Sequence, residues 1–536
     1  MLQQGDNIRS LVKCPSLSGV MYQAHVLIQQ LKLINDEDYP IQACRIRNLF
    51  QAYTEYILRQ LESLHNPENP LEPKGGPGFN RIRAFAECLR PLYSFVRYLR
   101  ASAANQAPPG LQVALTQLTD LHFPSTENGN PACLIRPQWK YNLTCIYLNS
   151  VLTRAIPYMV LDRDGELGIT NAKDTLKSVW NWWVSNRKDE DDERSKDKDR
   201  EFPAQIAILS FAGLDTHDVL LYPLLGHELG HFIDFSYDPQ LYLREPLRIK
   251  SETRREEVLR VLRESFGGTV TEKEADKHCE SVLSKAQFCI RELLADLIAV
   301  RMLGFSFFTA QAEFLKTLAS WSQPTITSND YPGIKFRLRV AFDHLFQDGH
   351  SGNIQTFLKQ HQKEGKYVDV ATWLLEYLEQ WRTTLDSVPE PLSAGEPDPK
   401  EANLIDKMVS ELAEKAVRAS LPDIKAVACQ VIPDTRCARL SHLFFERIHR
   451  LTQDLPPSCP KEGPDSFAEI MSAAWAYQLK FGEANESKRR GFQEKFDEYE
   501  KTCHLVLKAI ELIPPPRNHG KVTNVATEGT EHVNGP

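Results

Sequence analysis

Apolar side chains recur at three- and four-residue spacing over most of this chain, which is the periodicity of amphipathic helices. In the first part of the chain the pattern predicts helices over residues 19–34, 41–64 and 80–103. A loop rich in proline and glycine at residues 66–78 precedes the third helix, and Pro91 is expected to kink that helix. Because two prolines and a glycine at 108–110 end the block, residues 1–110 are predicted to form a helical N-terminal region with a packing role.

The same periodicity returns in the C-terminal part of the chain. It predicts helices over residues 351–386, 404–421, 437–451, 467–481 and 491–513. The heptad-like pattern of the last helix could dock on a protein partner, although packing within the chain is favoured. Residues 346–513 are therefore predicted to form a helical C-terminal region. Residues 514–536 have no apolar face and are predicted to be a disordered tail.

The pattern changes between residues 111 and 210. Residues 141–148 are rich in β-forming side chains and are predicted to be a strand. Residues 204–212 carry apolar side chains on both faces, which is typical of a strand covered on two sides. Residues 188–201 are almost entirely charged, which predicts a solvated or disordered loop, with a flap over a functional site as the alternative. The whole chain is therefore predicted to be mainly α with a small β-sheet.

Composition and charge narrow the class of protein. The chain has 536 residues, of which 42% are hydrophobic and 25% charged, as in an ordinary soluble globular protein with roughly two to four domains or one large domain with subdomains. The net charge of −8 and the lack of a basic block argue against a nucleic-acid partner. Neither a signal-peptide pattern nor a run of membrane-spanning length is found, so no membrane partner is expected. Eleven dispersed cysteines without a C-x-x-C pair indicate reduced thiols and predict a cytoplasmic protein.

The first candidate for chemistry is the sequence HELGH at residues 227–231, which lies in an apolar stretch with helical character. Positions four apart lie above one another on a helix, so His227 and His231 can direct their imidazoles at one point, with Glu228 beside them. This is the zinc-binding and general-base pattern of metallohydrolases. Two histidines do not complete a zinc site, however, and a third protein ligand is needed.

A helix further along the chain offers the missing ligand. A capping box at residues 271–274 opens a long helix whose second half is apolar nearly all round and is therefore expected to be buried. Glu292 and Asp296 interrupt this apolar half, one helical turn apart, and buried carboxylates need cations or hydrogen-bond donors. Glu292 is predicted to bind zinc. Asp296 is predicted to accept the outer N–H of a ligand histidine, with His227 favoured over His231.

The strand predicted at residues 204–212 comes shortly before the HELGH helix. Asp215, Thr216 and Asp218 are candidates for the helix cap, and Pro223 falls in the first turns, where proline is tolerated. A free edge of this strand is expected to hold an extended peptide by main-chain hydrogen bonds and to lay a scissile carbonyl over the metal.

The motifs HExxH at 227–231 and ExxxD at 292–296 together resemble those of the gluzincin metallopeptidases, the group that includes thermolysin. The resemblance covers roughly residues 204–304. The separation of the two motifs is longer than in thermolysin-like enzymes but is normal for the wider group. The metzincin pattern is absent, since Phe232 and Asp234 stand where its extension would lie.

The resemblance implies a zincin-like catalytic core, placed at residues 111–345 and embedded in the helical regions. It implies that His227, His231 and Glu292 hold Zn2+. It further implies a peptidase that hydrolyses a peptide or protein substrate by means of zinc-activated water, with Glu228 as the proton acceptor.

Gluzincin sites commonly use a tyrosine, histidine or arginine to hold the developing oxyanion. The polar loop that follows the long helix contains Tyr331, which is the first candidate for this role. Arg337 and His344, in the helix after the loop, are the next candidates. His217 is a further possibility but is favoured as a surface residue.

Three alternatives stay open at the level of sequence. In the first, His227 and His231 are ordinary core histidines, and Glu292 and Asp296 form ion pairs with Arg291 or Arg301. The zinc can be a retained, non-catalytic element in a helical interaction or regulatory protein. The third alternative is a metallohydrolase of a non-peptide amide, against which the strand next to the HELGH helix argues.

Overall fold

The protein is described by a computed structural model, and every structural statement below concerns the residues that it describes. These are residues 16–35, 37–64, 77–103, 109–122, 131–138, 144–147, 179–181, 184–185, 205–212, 218–236, 256, 259–260, 263–264, 272–321, 332–346, 354–363, 366–386, 404–459, 466–483 and 492–513. The predictions of a charged loop or flap at 188–201 and of a disordered tail at 514–536 lie outside the described residues.

Helices dominate the structure, which confirms the prediction of a mainly α protein with a small β-sheet. The elements before the HELGH helix are α1 (Leu17–Lys32), α2 (Ile41–Leu64), α3 (Pro77–Arg100), α4 (Pro109–His122), β1 (Pro131–Gln138), β2 (Thr144–Tyr147), β3 (Gln205–Ala212) and a 3₁₀ turn (Val219–Leu224). The elements from that helix onwards are α5 (Leu225–Ser236), α6 (Glu272–Leu303), α7 (Phe305–Trp321), α8 (Ile334–Phe346), α9 (Ile354–Lys363), α10 (Val368–Asp386), α11 (Leu404–Val431), α12 (Leu443–Thr452), α13 (Phe467–Tyr477) with a π-helical turn (Gln478–Glu483), and α14 (Phe492–Glu511).

Helical periodicity located most of the long helices within a few residues, including α1, α2 and α3. The helix α4 was not predicted, because Pro108, Pro109 and Gly110 were interpreted as the end of a block. Pro109 is instead the first residue of α4. Proline is tolerated there because the first turn of a helix leaves its N–H groups without partners in the helix. The strand predicted within 141–148 is present as the shorter β2.

Among the described residues, the sheet has three strands in the order β1-β3-β2, with β1 parallel and β2 antiparallel to β3. The prediction of a free edge on the strand at 204–212 is therefore wrong, because β3 is the central strand. All of its residues pair with β1, and residues 207–210 also pair with β2. The error arose because β1 was not recognised in the sequence, where prolines at positions 131 and 137 argue against a paired strand.

The two faces of the sheet pack into different hydrophobic clusters. Leu134, Ile206 and Ile208 join a cluster formed by α1, α2 and α3. The alternate residues on the opposite face, such as Leu209 and Phe211, join a larger cluster that includes α5, α6 and most of the later helices. The N-terminal helices thus cover one face of the sheet, and the HELGH helix lies on the other.

The C-terminal helices hold the segment that leads into α5. The indole N–H of Trp475 donates to the carbonyl oxygen of Leu220 at 2.8 Å, and the hydroxyl of Tyr499 donates to Asp218 at 2.6 Å. Both acceptors lie at the 3₁₀ turn, which runs directly into α5. Since Val506 and other apolar residues of α14 are buried in the same cluster, α14 packs within the chain, as the sequence favoured.

Within the described part of the chain, no helix is both long enough and apolar enough to cross a membrane.

Candidate metal centre

The local structure before the HELGH helix differs from the prediction. Pro223 lies in the 3₁₀ turn and not in the first turns of an α-helix. Asp218 precedes this turn but makes no side-chain capping bond, because its carboxylate accepts the hydroxyl of Tyr499 instead. The other two cap candidates, Asp215 and Thr216, lie outside the described residues.

Two glycines bring α5 unusually close to α6. A Cβ atom on Gly230 would lie 2.7 Å from the backbone of Ala295, and one on Gly226 would lie 3.3 Å from the Cβ of Ala299. Because the residue numbers rise along α5 as they fall along α6, the two helices run antiparallel. The absence of side chains at these two positions lets the histidines of α5 reach the carboxylates of α6.

We expect Gly230→Ala to lower the free energy of unfolding by about 1–3 kcal/mol, because the added methyl group meets backbone atoms that cannot move aside. The same change should reduce zinc binding, since it pushes α5 away from α6. Gly226→Ala is the matched control. Its methyl group meets the flexible end of Leu303 at 2.6 Å, and its effect should be smaller. Thermal unfolding and zinc content measure both effects, and equal behaviour of the two variants would contradict this account of the helix contact.

The structure brings together His227, His231 and Glu292, whose candidate ligand atoms all lie within 4.8 Å of one another. The two Nε2 atoms are 3.0 Å apart. Each Nε2 lies 3.3 Å from an oxygen of Glu292. Ligand bonds of about 2.0–2.1 Å at the tetrahedral angle place neighbouring ligand atoms about 3.3–3.4 Å apart. His227 faces Oε2 of Glu292 and His231 faces Oε1, so the two imidazole nitrogens and the carboxylate lie at separations close to those between the ligands of one zinc ion.

Asp296 lies behind this group and contacts one histidine. Its Oδ1 is 2.8 Å from Nδ1 of His227, and its side chain is fully buried. A hydrogen bond donated from Nδ1 leaves the lone pair of Nε2 directed at the group of ligand atoms. Of the two histidines that the sequence left open, the structure places Asp296 on His227.

Arg337 was named from the sequence as a candidate for holding an oxyanion, and the structure places it against Asp296. Its Nε and Nη2 atoms donate to the two oxygens of Asp296, each at 2.8 Å. Its Nη2 is also 3.8 Å from an oxygen of Glu292. This two-point contact fixes the orientation of Asp296, and through it that of His227. Sequence reasoning missed this contact, although a buried Asp296 was expected to need a cation.

The alternative pairing of the acids with Arg301 is wrong, since Arg301 donates to Asp434 and to the carbonyl oxygen of Ile432. His344 is buried two helical turns beyond Arg337 on α8, about 10 Å along the axis. The structure does not bring it into the group of ligand atoms. Tyr331 and His217 lie outside the described residues.

The charges of this buried group are not balanced by the side chains themselves. Glu228, Glu292 and Asp296 contribute three carboxylates, and Arg337 contributes one guanidinium. When all are ionised and the histidines are neutral, two negative charges remain. A buried net charge is costly, and a divalent cation balances it. The donor set and the charge therefore both fit a divalent metal ion.

The pKa values follow the same electrostatics. Burial acts to lower the pKa of His227, but Asp296 and Glu292 more than compensate and raise it to about 10. Burial acts to raise the pKa of Glu292, yet contacts with the two histidines and with Arg337 hold it well below its usual range. The carboxylates of Asp296 and Glu292 stabilise a proton on His227, and the same negative charge would stabilise a metal cation at this place.

Glu228 is buried beside the ligand atoms but is not one of the three ligands. Burial raises the pKa of its carboxyl group, against the opposing influence of His227 and His231. A carboxylate with a raised pKa is a stronger base, which suits a group that must accept a proton near neutral pH.

Comparisons of the chain with protein-family models, with curated proteins and with solved structures found no match. The function of this protein therefore has to be inferred from the chemistry of its own residues.

Proposed function

We propose that the protein is a zinc-dependent peptidase. The observation that carries the proposal is the close grouping of His227, His231 and Glu292. The two Nε2 atoms are 3.0 Å apart, and each lies 3.3 Å from a different oxygen of Glu292. Two histidines and one glutamate are a ligand set of catalytic zinc sites, which keep the fourth position for water or substrate. His227 and His231 are partly exposed, so solvent can reach this side of the site.

Bound zinc would lower the pKa of a water molecule and polarise the carbonyl of the substrate. Glu228 accepts the proton of the attacking water and later delivers it to the leaving amine. Asp296 keeps the proton of His227 on Nδ1, and Arg337 fixes the carboxylate of Asp296. A second set of residues thus holds the ligands in place, as is usual around catalytic metals.

A peptide substrate is favoured by the position of β2. Among the strands that the structure describes, β2 is an edge strand: it pairs with β3 on one side and is in contact with α5. An extended peptide can add to such an edge by main-chain hydrogen bonds. In this proposal β2 takes the role that the sequence had assigned to the strand at 204–212.

We also propose a cytoplasmic location. Nine cysteines whose side chains the structure describes are outside disulfide bonds, and most of them are buried. Unpaired, buried thiols are typical of proteins in reducing compartments.

The test is a measurement of metal content followed by a cleavage assay. Purified protein reconstituted with zinc should hold one ion per chain and cleave members of a mixed peptide library, and 1,10-phenanthroline should abolish cleavage. Zinc without turnover would contradict the peptidase and favour the alternative of an interaction or regulatory protein with a non-catalytic zinc site. Absence of bound zinc would contradict both.

A further inference from the structure

Before the proposed metal ligand, the helix α6 keeps only one face in the hydrophobic core, through residues such as Ala286, Cys289 and Ile290. All side chains from Glu292 to the end of the helix at Leu303 are buried. One turn before Glu292, Gln287 and Phe288 are exposed. The metal centre therefore lies at the boundary between the core and the solvent, and Phe288 is on the solvent side of that boundary.

Phe288 lies on the same face of α6 as Glu292. Residues four apart on a helix have Cβ atoms about 5–6 Å apart. Side chains of a helix lean towards its N-terminus, so the carboxylate of Glu292 lies over the turn that carries Phe288. The ring of Phe288 leans in the same direction, so it lies about one helical turn, roughly 5–6 Å, from the proposed ligand.

The two histidines show on which side of the site this ring lies. His231 contacts Glu292, whereas His227 also contacts Asp296, one turn further along α6. Because α5 and α6 run antiparallel, Phe288 lies beyond the His231 end of the ligand group. The side chains of His227 and His231 are 14% and 16% exposed, so solvent reaches both histidines.

Phe288 is a large apolar side chain with 38% of its surface exposed. The other exposed large apolar residues of the described chain lie outside α6: Tyr22, Leu33, Leu121, Leu455, Phe496 and Leu512. Single exposed apolar residues are common and carry no meaning alone. The position of Phe288, one turn from a ligand at the solvent side of the site, distinguishes it.

We propose that Phe288 is a specificity-determining residue, which contacts an apolar side chain of the substrate close to the bond that is cleaved. An extended peptide rises about 3.3 Å per residue, so the contacted side chain lies within about two residues of that bond. Contact between the ring of Phe288 and an apolar side chain of the substrate is favourable, because both apolar surfaces are removed from water. This inference rests on the proposed zinc peptidase and adds the class of residue that it selects.

The experiment compares zinc-loaded wild type with Phe288→Ala, Phe288→Leu and Gln287→Ala. The last is a matched control, because Gln287 is an exposed neighbour that points about 100° away around the helix. The probes are two zinc-chelating dipeptide hydroxamates, one with two phenylalanine side chains and one with two glycines. Binding is measured by titration calorimetry, and zinc content is measured for each variant.

Wild type, Phe288→Leu and Gln287→Ala should bind the phenylalanine probe at least about tenfold more tightly than the glycine probe. In Phe288→Ala this ratio should fall towards one while the zinc content and the affinity for the glycine probe stay the same. Cleavage of the peptide library should show the same loss of preference for apolar residues next to the cleaved bond.

An unchanged ratio in Phe288→Ala, or equal binding of the two probes by wild type, would overturn this inference and leave the zinc peptidase standing. A wild-type protein that holds no zinc would overturn both. A third outcome separates the two proposals: the wild type holds zinc but cleaves no peptide, and Phe288→Ala loses the preference for the phenylalanine probe. This outcome would reject the peptidase and retain the apolar contact at Phe288.

Discussion

Glu228→Gln is expected to leave zinc binding intact and to reduce kcat for peptide cleavage by about 10²–10⁴-fold, the usual contribution of a general acid–base group. Glutamine has the shape of glutamate but cannot take up the proton of the attacking water. Zinc stays bound because Glu228 is not among the three ligand residues. Since burial raises the pKa of Glu228, the wild-type carboxylate is well suited to accept this proton, and the substitution removes that property.

The matched control is Glu280→Gln, which makes the same chemical change at an exposed position of α6. Its kcat and its zinc content should equal those of wild type. Steady-state kinetics on one library peptide and zinc analysis of both variants decide the outcome. Full activity of Glu228→Gln would reject Glu228 as the proton acceptor.

Glu292→Ala is expected to have the largest effect on metal binding. Outer partners of a metal ligand commonly contribute ~10–100-fold to affinity, so loss of the ligand itself should weaken zinc binding by more than about 100-fold. The change removes one of three ligand atoms and one negative charge of the buried group. Activity should be lost together with the metal.

Glu280→Ala, on the exposed side of the same helix, is the control for loss of a glutamate from α6. Circular dichroism should show that Glu292→Ala keeps its helices, since Asp296 still binds Arg337 in that variant. Zinc affinity is measured by competition with a chromophoric chelator. Unchanged zinc stoichiometry and affinity would exclude Glu292 as a ligand.

The histidine pair was accessible from the sequence because its geometry is local. His227 and His231 are four residues apart, and any α-helix places such residues on one face. The structure has this helix, α5, and brings the two Nε2 atoms to 3.0 Å. The same holds for the one-turn spacing of Glu292 and Asp296 and for the burial of the helix that carries them.

The glycines of α5 were present in the sequence but their role was not read from it. Gly226 and Gly230 have the four-residue spacing that often marks a close approach of two helices. Which helix approaches depends on a partner that lies far away in the chain, and the contact with Ala295 is a property of the folded protein.

In the sheet, too, the local structure could be predicted from the sequence, whereas the contacts between strands could not. The apolar residues of 204–212 indicated a strand covered on two sides, and β3 is such a strand. The strands that pair with β3 could not be predicted in this way, because strand pairing joins segments that are far apart in the chain. The unrecognised β1 occupies the edge that was expected to be free, and β2 forms the edge beside α5.

Local spacing was thus sufficient to predict the helical character of the chain, the two motifs and the chemical type of their residues. Contacts between distant segments were needed to decide that Asp296 binds His227 and that Arg337 fixes Asp296. The reason is physical. Helix periodicity is set by neighbours a few residues away, whereas the meeting of α5, α6 and α8 is set by how their apolar faces and small residues pack together.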